Sequence, residues 1–349
     1  MKALTYEGPR RISYSEVPDP ELPGPDGAIV AVSAAGICGS DLHIFGGHGF
    51  AEGTGYCVGH EAVGEIVEIG PAAVGFAVGD RVLVPASAGC GHCVPCRSGL
   101  IAMCEKVPRP IDACYGLGGA LQGGQAQLLP VPHAETNLVR VPDGVSDDAA
   151  VVLTDNAPTA WYGARRARIA PGDSVVVIGL GPVGLMAVQS AFVLGASRVL
   201  AVDLVPERRE HARRLGAEPV ESEQPKQAIR EMLGGGADVV LEAVGADATI
   251  ALALAVAGRR GRVSVVGVSA NTAFPVNMVL AQVKELEFHI GLCSVQYELP
   301  TLLRLTAAGR LRPEAVVSHH LGLSEGADAY RLFASRGDGV SKVVLDPAG

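Results

Sequence analysis

Four of the eight cysteines in this 349-residue chain fall within fifteen residues, as Cys90, Cys93, Cys96 and Cys104 in GCGHCVPCRSGLIAMC. Thiolates this close in sequence can wrap one tetrahedral zinc and leave no position open to a substrate. His92 lies between two of them, but four cysteines already complete such a shell. The rival readings are an iron–sulfur cluster, whose usual spacings differ from this one, and plain loop thiols. Without a secretory signal, the clustering reads as a metal site rather than as a set of disulfides.

Other motifs offer different chemistry. GICGSDLH holds Cys38, Ser40, Asp41 and His43, and GHEAVGE holds His60 and Glu61. Together they supply a soft thiolate and an imidazole, donors that suit zinc. A catalytic site needs a third protein ligand and one open position, and TDNAPTA supplies Asp155. Further on, VVVIGLGPVG places Gly179, Gly181 and Gly184 as G-x-G-x-x-G, with Pro182 and Val183 between the last two. The first glycine makes a tight turn, the second lets backbone approach a pyrophosphate, and the third lets a helix pack on a strand. Asp203 ends the next apolar run, 24 residues after Gly179. A carboxylate there binds ribose hydroxyls and repels a 2′-phosphate, which favours NAD over NADP.

The elements that must position these groups change along the chain. Up to about residue 155 the pattern is short strands broken by Gly and Pro, such as AIVAVSAAGIC, AVGEIVEIG and GDRVLVPAS, with the cysteines and histidines on loops. From about residue 156, strands alternate with helices. Ser174–Ile178 reads as a strand, followed by a Gly turn and a helix through Leu194; RVLAVD, PERREHARRLGA, ADVVLEAVG and RVSVVGV continue the alternation. That pattern predicts a parallel, doubly wound sheet. After about residue 292 the alternation fades, and the last segment is expected to return to the first domain.

Composition narrows the function. Hydrophobic residues at 48% supply ample material for two cores, and Gly (45) and Pro (23) suit strands and tight turns. A net charge of −9 without a basic block argues against a nucleic-acid partner. The start, MKALTYEGPRR, lacks the apolar core of a signal peptide. Ser174–Ser197 carries no charge and is long enough to span a bilayer, but its glycines and Pro182 favour strand-turn-helix. No membrane association and a cytoplasmic location are expected.

In this order, GICGSDLH, GHE, the four-cysteine lobe and GLGPVG resemble the zinc-containing medium-chain dehydrogenase/reductase family over essentially the whole chain. GGQAQLLPVPHAETNLVRVP and VLEAVG are most similar to its formaldehyde-dehydrogenase-like branch. The resemblance implies an α/β protein: a GroES-like, mostly β catalytic domain at 1–155 and 293–349, and a Rossmann NAD-binding domain at 156–292, with the active site in the cleft between them. It implies a catalytic zinc on Cys38, His60 and Asp155 and a structural zinc on Cys90, Cys93, Cys96 and Cys104. Many relatives carry cysteine in place of Asp155, and a helix-start cap is the other reading of that residue.

Carried over by position, Glu61 would sit beside the metal as an alternate ligand. Ser40 would hydrogen-bond the alcohol, His43 would relay the proton out through the cofactor ribose, and Thr159 would press the nicotinamide toward the substrate. Arg208 would touch the adenosine ribose and Lys342 the pyrophosphate; ordinary surface charge is the alternative for both. The implied activity is hydride transfer between an alcohol and its carbonyl with NAD, in a homo-oligomer, a tetramer rather than a dimer. A zinc-free quinone or enone reductase would not need Cys38 and His60, and a non-catalytic cofactor-binding protein would not need the intact set. Ala86, four residues before Cys90, stands where relatives line the substrate pocket.

Overall fold

Residues 1–48, 53–117, 120–269, 271 and 273–349 are described in the computed structural model. Six parallel strands line up in the order Glu218–Pro219, Arg198–Val202, Ser174–Ile178, Ala237–Glu242, Ala257–Val265, Glu287–Ile290. Numbered along the chain this is 3-2-1-4-5-6, the doubly wound order whose reversal point lies between the first and fourth strands. The middle strands read SVVVI, RVLAV and ADVVLE and are buried almost throughout, as strands covered by helices on both faces must be. Helices Pro182–Leu194, Pro206–Arg214, Pro225–Leu233 and Asp247–Val256 make the crossovers. This unit is Thr159–Leu292.

The uncharged Ser174–Ser197 stretch is accounted for here. It folds as strand Ser174–Ile178, a turn, and helix Pro182–Leu194, and among the described residues no helix is long and apolar enough to cross a membrane.

The second unit comprises Met1–Pro158 and Cys293–Gly349. Its main sheet runs His319–Gly322, Val343–Asp346, Ala28–Ile37, Ala62–Ile69, Arg81–Val84, Val139–Arg140, with Leu128–Val131 also pairing on Ala28–Ile37. All pairings but the first are antiparallel. The ten-residue strand Ala28–Ile37 is therefore the hub of the sheet. Leu4, Ile37, Ile66, Leu129, Tyr115, Tyr330 and Leu345 belong to the core cluster around it.

That hub sets up the chemistry. Ala35 pairs with Ala62, and Gly36 N donates to Glu61 O at 3.0 Å, so the chain leaves the hub toward Cys38 beside His60 and Glu61. On the other edge Val343 pairs with Ile37, which brings Lys342 to the same end. Gly36 is required at the crossing: a Cβ there would lie 1.9 Å from Glu61 Oε2. After Cys38 the sequence pattern suggested a loop, but a short helix forms over Gly39–Phe45. The Asp41 carboxylate accepts from Cys38 N at 2.9 Å while Asp41 N donates to Cys38 O, a reciprocal cap that closes the first turn. Ser40, Asp41 and His43 thus ride on a helix rather than on a mobile loop.

Candidate active site

The residues singled out by motif fall into three constellations. In the first, one ligand atom from each of Cys90, Cys93, Cys96 and Cys104 lies within 4.8 Å of the others, and all four residues are buried. Sγ of Cys90 is 4.0 Å from that of Cys96, close to the roughly 3.8 Å edge of a tetrahedron with zinc–sulfur bonds of about 2.3 Å. Backbone N–H groups point at the sulfurs: Cys93 N at Cys90 Sγ and Cys90 N at Cys104 Sγ, both at 3.4 Å. The N–H of Cys96 draws the Cys93 thiol down to about 6, while burial and the contact with Cys93 push Cys96 up to about 12, so the two sulfurs share a proton that a cation would displace. Donors of this kind stabilise thiolates, so the lobe fits a closed zinc. His92 turns away and pairs its Nδ1 with Cys90 O at 2.7 Å. All eight cysteines are free, so no disulfide competes for these sulfurs.

The second constellation gathers Cys38, His60, Glu61 and Asp155, again with ligand atoms within 4.8 Å of one another. Cys38 Sγ lies 3.3 Å from Asp155 Oδ2, and His60 Nε2 lies 3.5 Å from the same oxygen. Ligands about 2.0–2.3 Å from one tetrahedral ion stand about 3.3–3.8 Å apart, so the three atoms fit such an ion. Burial pushes the Cys38 thiol up to about 11, assisted by the charge of Asp155 and opposed by His60. Burial disfavours the charged form of His60, yet Asp41 and Cys38 outweigh it and raise the imidazole well above its usual range. At Asp155 burial is overcome by the hydrogen bond and charge of His60, and its carboxyl is held below the ordinary carboxylate range. Protein groups alone thus keep protons on Cys38 and His60, and a divalent cation would displace them.

Glu61 is held differently from the other three. Burial raises its carboxyl while Lys342 and His60 pull it down. Its Oε2 forms an ion pair with Lys342, both side chains being wholly buried, and its Oε1 has no hydrogen-bond partner. An unpartnered carboxylate oxygen in a cluster of thiolate, imidazole and carboxylate is the donor an ion could recruit. Lys342 is not ordinary surface charge: its ammonium donates to Ile37 O at 3.1 Å and to Glu61 and has no exposed face. The antiparallel pairing of Val343–Asp346 on the hub strand puts it there.

Around this cluster Ser40 is half-buried, its Oγ 4.0 Å from Cys38 Sγ. His43 is half-buried on the same helix, and burial, then the neighbouring His48, lowers its pKa below 6.5. Sequence reasoning missed two groups. Asp41, to which the motif alone gives no role, meets His60 Nδ1 at 3.1 Å through Oδ1. The carboxylate orients the ring and leaves Nε2 for the metal. Asn156 is wholly buried and donates through Nδ2 to Asp155 Oδ2 at 3.1 Å and toward Cys38 Sγ at 3.5 Å. The D-N dipeptide in TDNAPTA was the available signal for it. Asp155 itself sits in the turn just before helix Asn156–Arg166, which carries half-buried Thr159.

The third constellation is the glycine turn. Gly179 has φ +89°, and a Cβ there would lie 2.4 Å from Val244 Cγ2; a Cβ on Gly184 would lie 1.7 Å from Gly179 O. Those two glycines answer to packing. Gly181 does not: among the described residues the one atom within 4 Å of its missing Cβ is Arg208 Nη1, at 3.9 Å. The open face at Gly181, at the start of helix Pro182–Leu194, is the cradle a pyrophosphate would fill. Pro182 is buried at the first helical position, where no N–H is needed, and Val183 is half-buried. Asp203 Oδ2 accepts from Leu180 N at 2.7 Å and Oδ1 from Val205 N at 2.8 Å, which fixes the carboxylate with lone pairs left for ribose hydroxyls. Arg208 is nearly buried beside the turn.

The chain is similar to known proteins over both units. The family profile for an alcohol dehydrogenase GroES-like domain matches residues 24–143, and that for a zinc-binding dehydrogenase matches residues 182–308. A probable zinc-binding alcohol dehydrogenase of Mycobacterium tuberculosis is 41% identical over 348 residues, covering 99% of this chain and 89% of that protein. The solved alcohol dehydrogenase of Thermus sp. ATN1 is 42% identical, with a TM-score of 0.91 and 99% of each chain covered. Two more distant structures, each aligned over 99% of both chains, carry nicotinamide cofactors. One is an Escherichia coli CFT073 alcohol dehydrogenase with NADH, 27% identical with a TM-score of 0.87. The other is a zinc-binding dehydrogenase of Sinorhizobium meliloti 1021 with NADP, 26% identical with a TM-score of 0.85.

Proposed function

The chain belongs to the zinc-containing medium-chain dehydrogenase/reductase family, and from that premise we propose that it moves a hydride between a small alcohol and NAD. The observation that carries the reading is the triad of Cys38, His60 and Asp155 at tetrahedral spacing, with Asp41 locking the imidazole. Two zincs per chain are proposed, one on this triad and one on the four-cysteine lobe. Zinc on the triad supplies Lewis-acid polarisation of an alcohol or carbonyl oxygen.

The protein groups do the rest. Ser40 hydrogen-bonds the substrate hydroxyl and His43, kept neutral at pH 7 by its lowered pKa, carries the proton away. A nicotinamide bound beside the substrate would supply the hydride acceptor, so that an alcohol giving up this proton and a hydride would become a carbonyl. Thr159 presses the nicotinamide toward the substrate. Gly179, Gly181 and Gly184 hold the pyrophosphate against the helix start, and Arg208 meets the adenosine ribose. Asp203 selects NAD, since its fixed carboxylate repels a 2′-phosphate. Lys342 is proposed to hold Glu61 rather than the cofactor.

On the same reading residues 1–155 with 293–349 form the catalytic domain and 156–292 the nucleotide domain. The protein is proposed to be cytoplasmic and a homo-oligomer, a tetramer rather than a dimer. Support comes from strand Glu287–Ile290, which ends the sheet among the described residues and carries an exposed Ile290.

The test is NAD and NADP reduction across a panel of alcohols. Turnover with NAD on primary or secondary alcohols is expected, and turnover with NADP alone would overturn the role given to Asp203. Formaldehyde adducts of thiols and polyols belong in the panel as the nearest alternatives. Ala86 is small and buried, and its N–H donates to Thr154 O next to Asp155 at 3.0 Å. Ala86→Phe should shift preference toward shorter alcohols; an unchanged profile would remove it from the pocket.

A further inference from the structure

We infer that Gln125 and Tyr330 are positioning residues for His60, clamping Asp41 so that the imidazole presents Nε2 to the metal. The inference rests on the proposal that His60 is a zinc ligand. Gln125 is wholly buried, and its Nε2 donates to Gly36 O at 2.9 Å and toward Asp41 Oδ2 at 3.4 Å. Both partners can only accept, so the amide cannot be turned over, and Oε1 must face the Tyr330 hydroxyl 2.9 Å away. The phenol therefore donates. Every proton in the chain from Tyr330 through Gln125 points toward the Asp41 carboxylate. On its other oxygen that carboxylate meets His60 Nδ1 at 3.1 Å and can only receive a proton there. Nδ1 therefore keeps its hydrogen toward Asp41 whether the ring is neutral or charged, and Nε2, on the side of Asp155 and Cys38, is the nitrogen a metal would take on displacing the second proton.

The surroundings are shaped for this amide. Gln125 N donates to Val58 O at 3.0 Å and its O accepts from Leu4 N at 2.8 Å, so the backbone is pinned on both sides. Gly59, directly before His60, has φ +92°, and a Cβ there would lie 2.4 Å from Gln125 Cγ. Tyr330 is wholly buried on helix Gly326–Ser335, with its ring 5.5 Å from that of Phe45 on the helix that carries Asp41. The network thus ties helix Gly326–Ser335 to His60 through side chains that are not themselves in the ligand cluster.

The test is metal binding at the His60 site in Tyr330→Phe and Gln125→Met, with the four-cysteine lobe as reference inside each molecule. Zinc dissociation constants are measured by chelator competition, and cobalt(II) is substituted so that its visible bands report ligand geometry. Both variants should bind about 3- to 10-fold more weakly at the His60 site, less than the 10- to 100-fold typical of losing a direct partner of a metal-bound histidine. Their cobalt bands should shift while the lobe stays unchanged. Tyr330→Phe removes one oxygen and keeps the ring, so it serves even if Gln125→Met folds poorly. Wild-type affinity and bands in Tyr330→Phe, whatever its melting temperature, would overturn the inference alone. A wild-type protein that takes up no cobalt on Cys38 would overturn both it and the zinc reading beneath it.

Discussion

The four-cysteine lobe and the Cys38 cluster each gather four potential metal ligands but are built in opposite ways. All four sulfurs of the lobe come from one fifteen-residue segment, and the nearest groups are backbone N–H donors of that segment. Cys38, His60 and Asp155 come from three places in the chain; Asp41 and Asn156 support them from two of those segments, and Gln125 and Lys342 from two more. Four like sulfurs in the lobe would saturate a tetrahedral ion. The cluster mixes thiolate, imidazole and carboxylate, and leaves Glu61 beside them with one oxygen unpartnered. A closed, local site suits structure, whereas a mixed site held from outside suits chemistry, because its ligands must stay in place while one position changes occupant.

This contrast can be broken where the two sites depend on distant groups. The largest expected effect is on stability. Lys342→Met leaves Glu61 buried without its partner and should cost about 3–5 kcal/mol in urea denaturation, while zinc in the lobe is retained. Replacing both residues with apolar ones should recover most of that. A single variant within about 0.5 kcal/mol of wild type would mean the pair does not hold the cluster.

What could be read from sequence follows the same division. The lobe and the glycine turn were legible because their partners are neighbours in the chain, and the strands at Ser174–Ile178 and Arg198–Val202 showed as apolar runs. The Cys38, His60 and Asp155 motifs were visible singly, but not the register of Ala28–Ile37 against Ala62–Ile69 that brings the first two together. Nothing local marks Gln125 or pairs Lys342 with Glu61, since both contacts arise from long-range sheet pairing and packing. The helix over Gly39–Phe45 was also hidden, because its cap is a contact between Asp41 and Cys38 rather than a strong propensity in the seven residues.

A middling effect sharpens the comparison at the metal itself. Asp41→Asn removes the charge that orients His60 and should weaken zinc at the Cys38 site by about 10- to 100-fold, with the lobe unaffected. Equal loss from both sites in a chelator titration would show general unfolding instead. The smallest effect concerns pH. His43 has its folded pKa below 6.5, so between 6.5 and that lower value the unfolded chain binds the proton more readily. Its contribution is therefore intact above about pH 6.5 and declines as pH falls through that window. His43→Gln should flatten that part of the stability profile, and an unchanged slope would remove burial of His43 as its cause.

The central claim is that one chain holds two zincs in sites of different kinds, and metal analysis of purified wild-type and Cys38→Ala protein tests it most directly. The account predicts two zincs per chain in the wild type. Cys38→Ala should keep one zinc and a folded protein, with NAD-linked alcohol oxidation down by more than about 1000-fold, the scale of a lost Lewis acid. A single zinc in the wild type, or undiminished zinc and activity in Cys38→Ala, would contradict it.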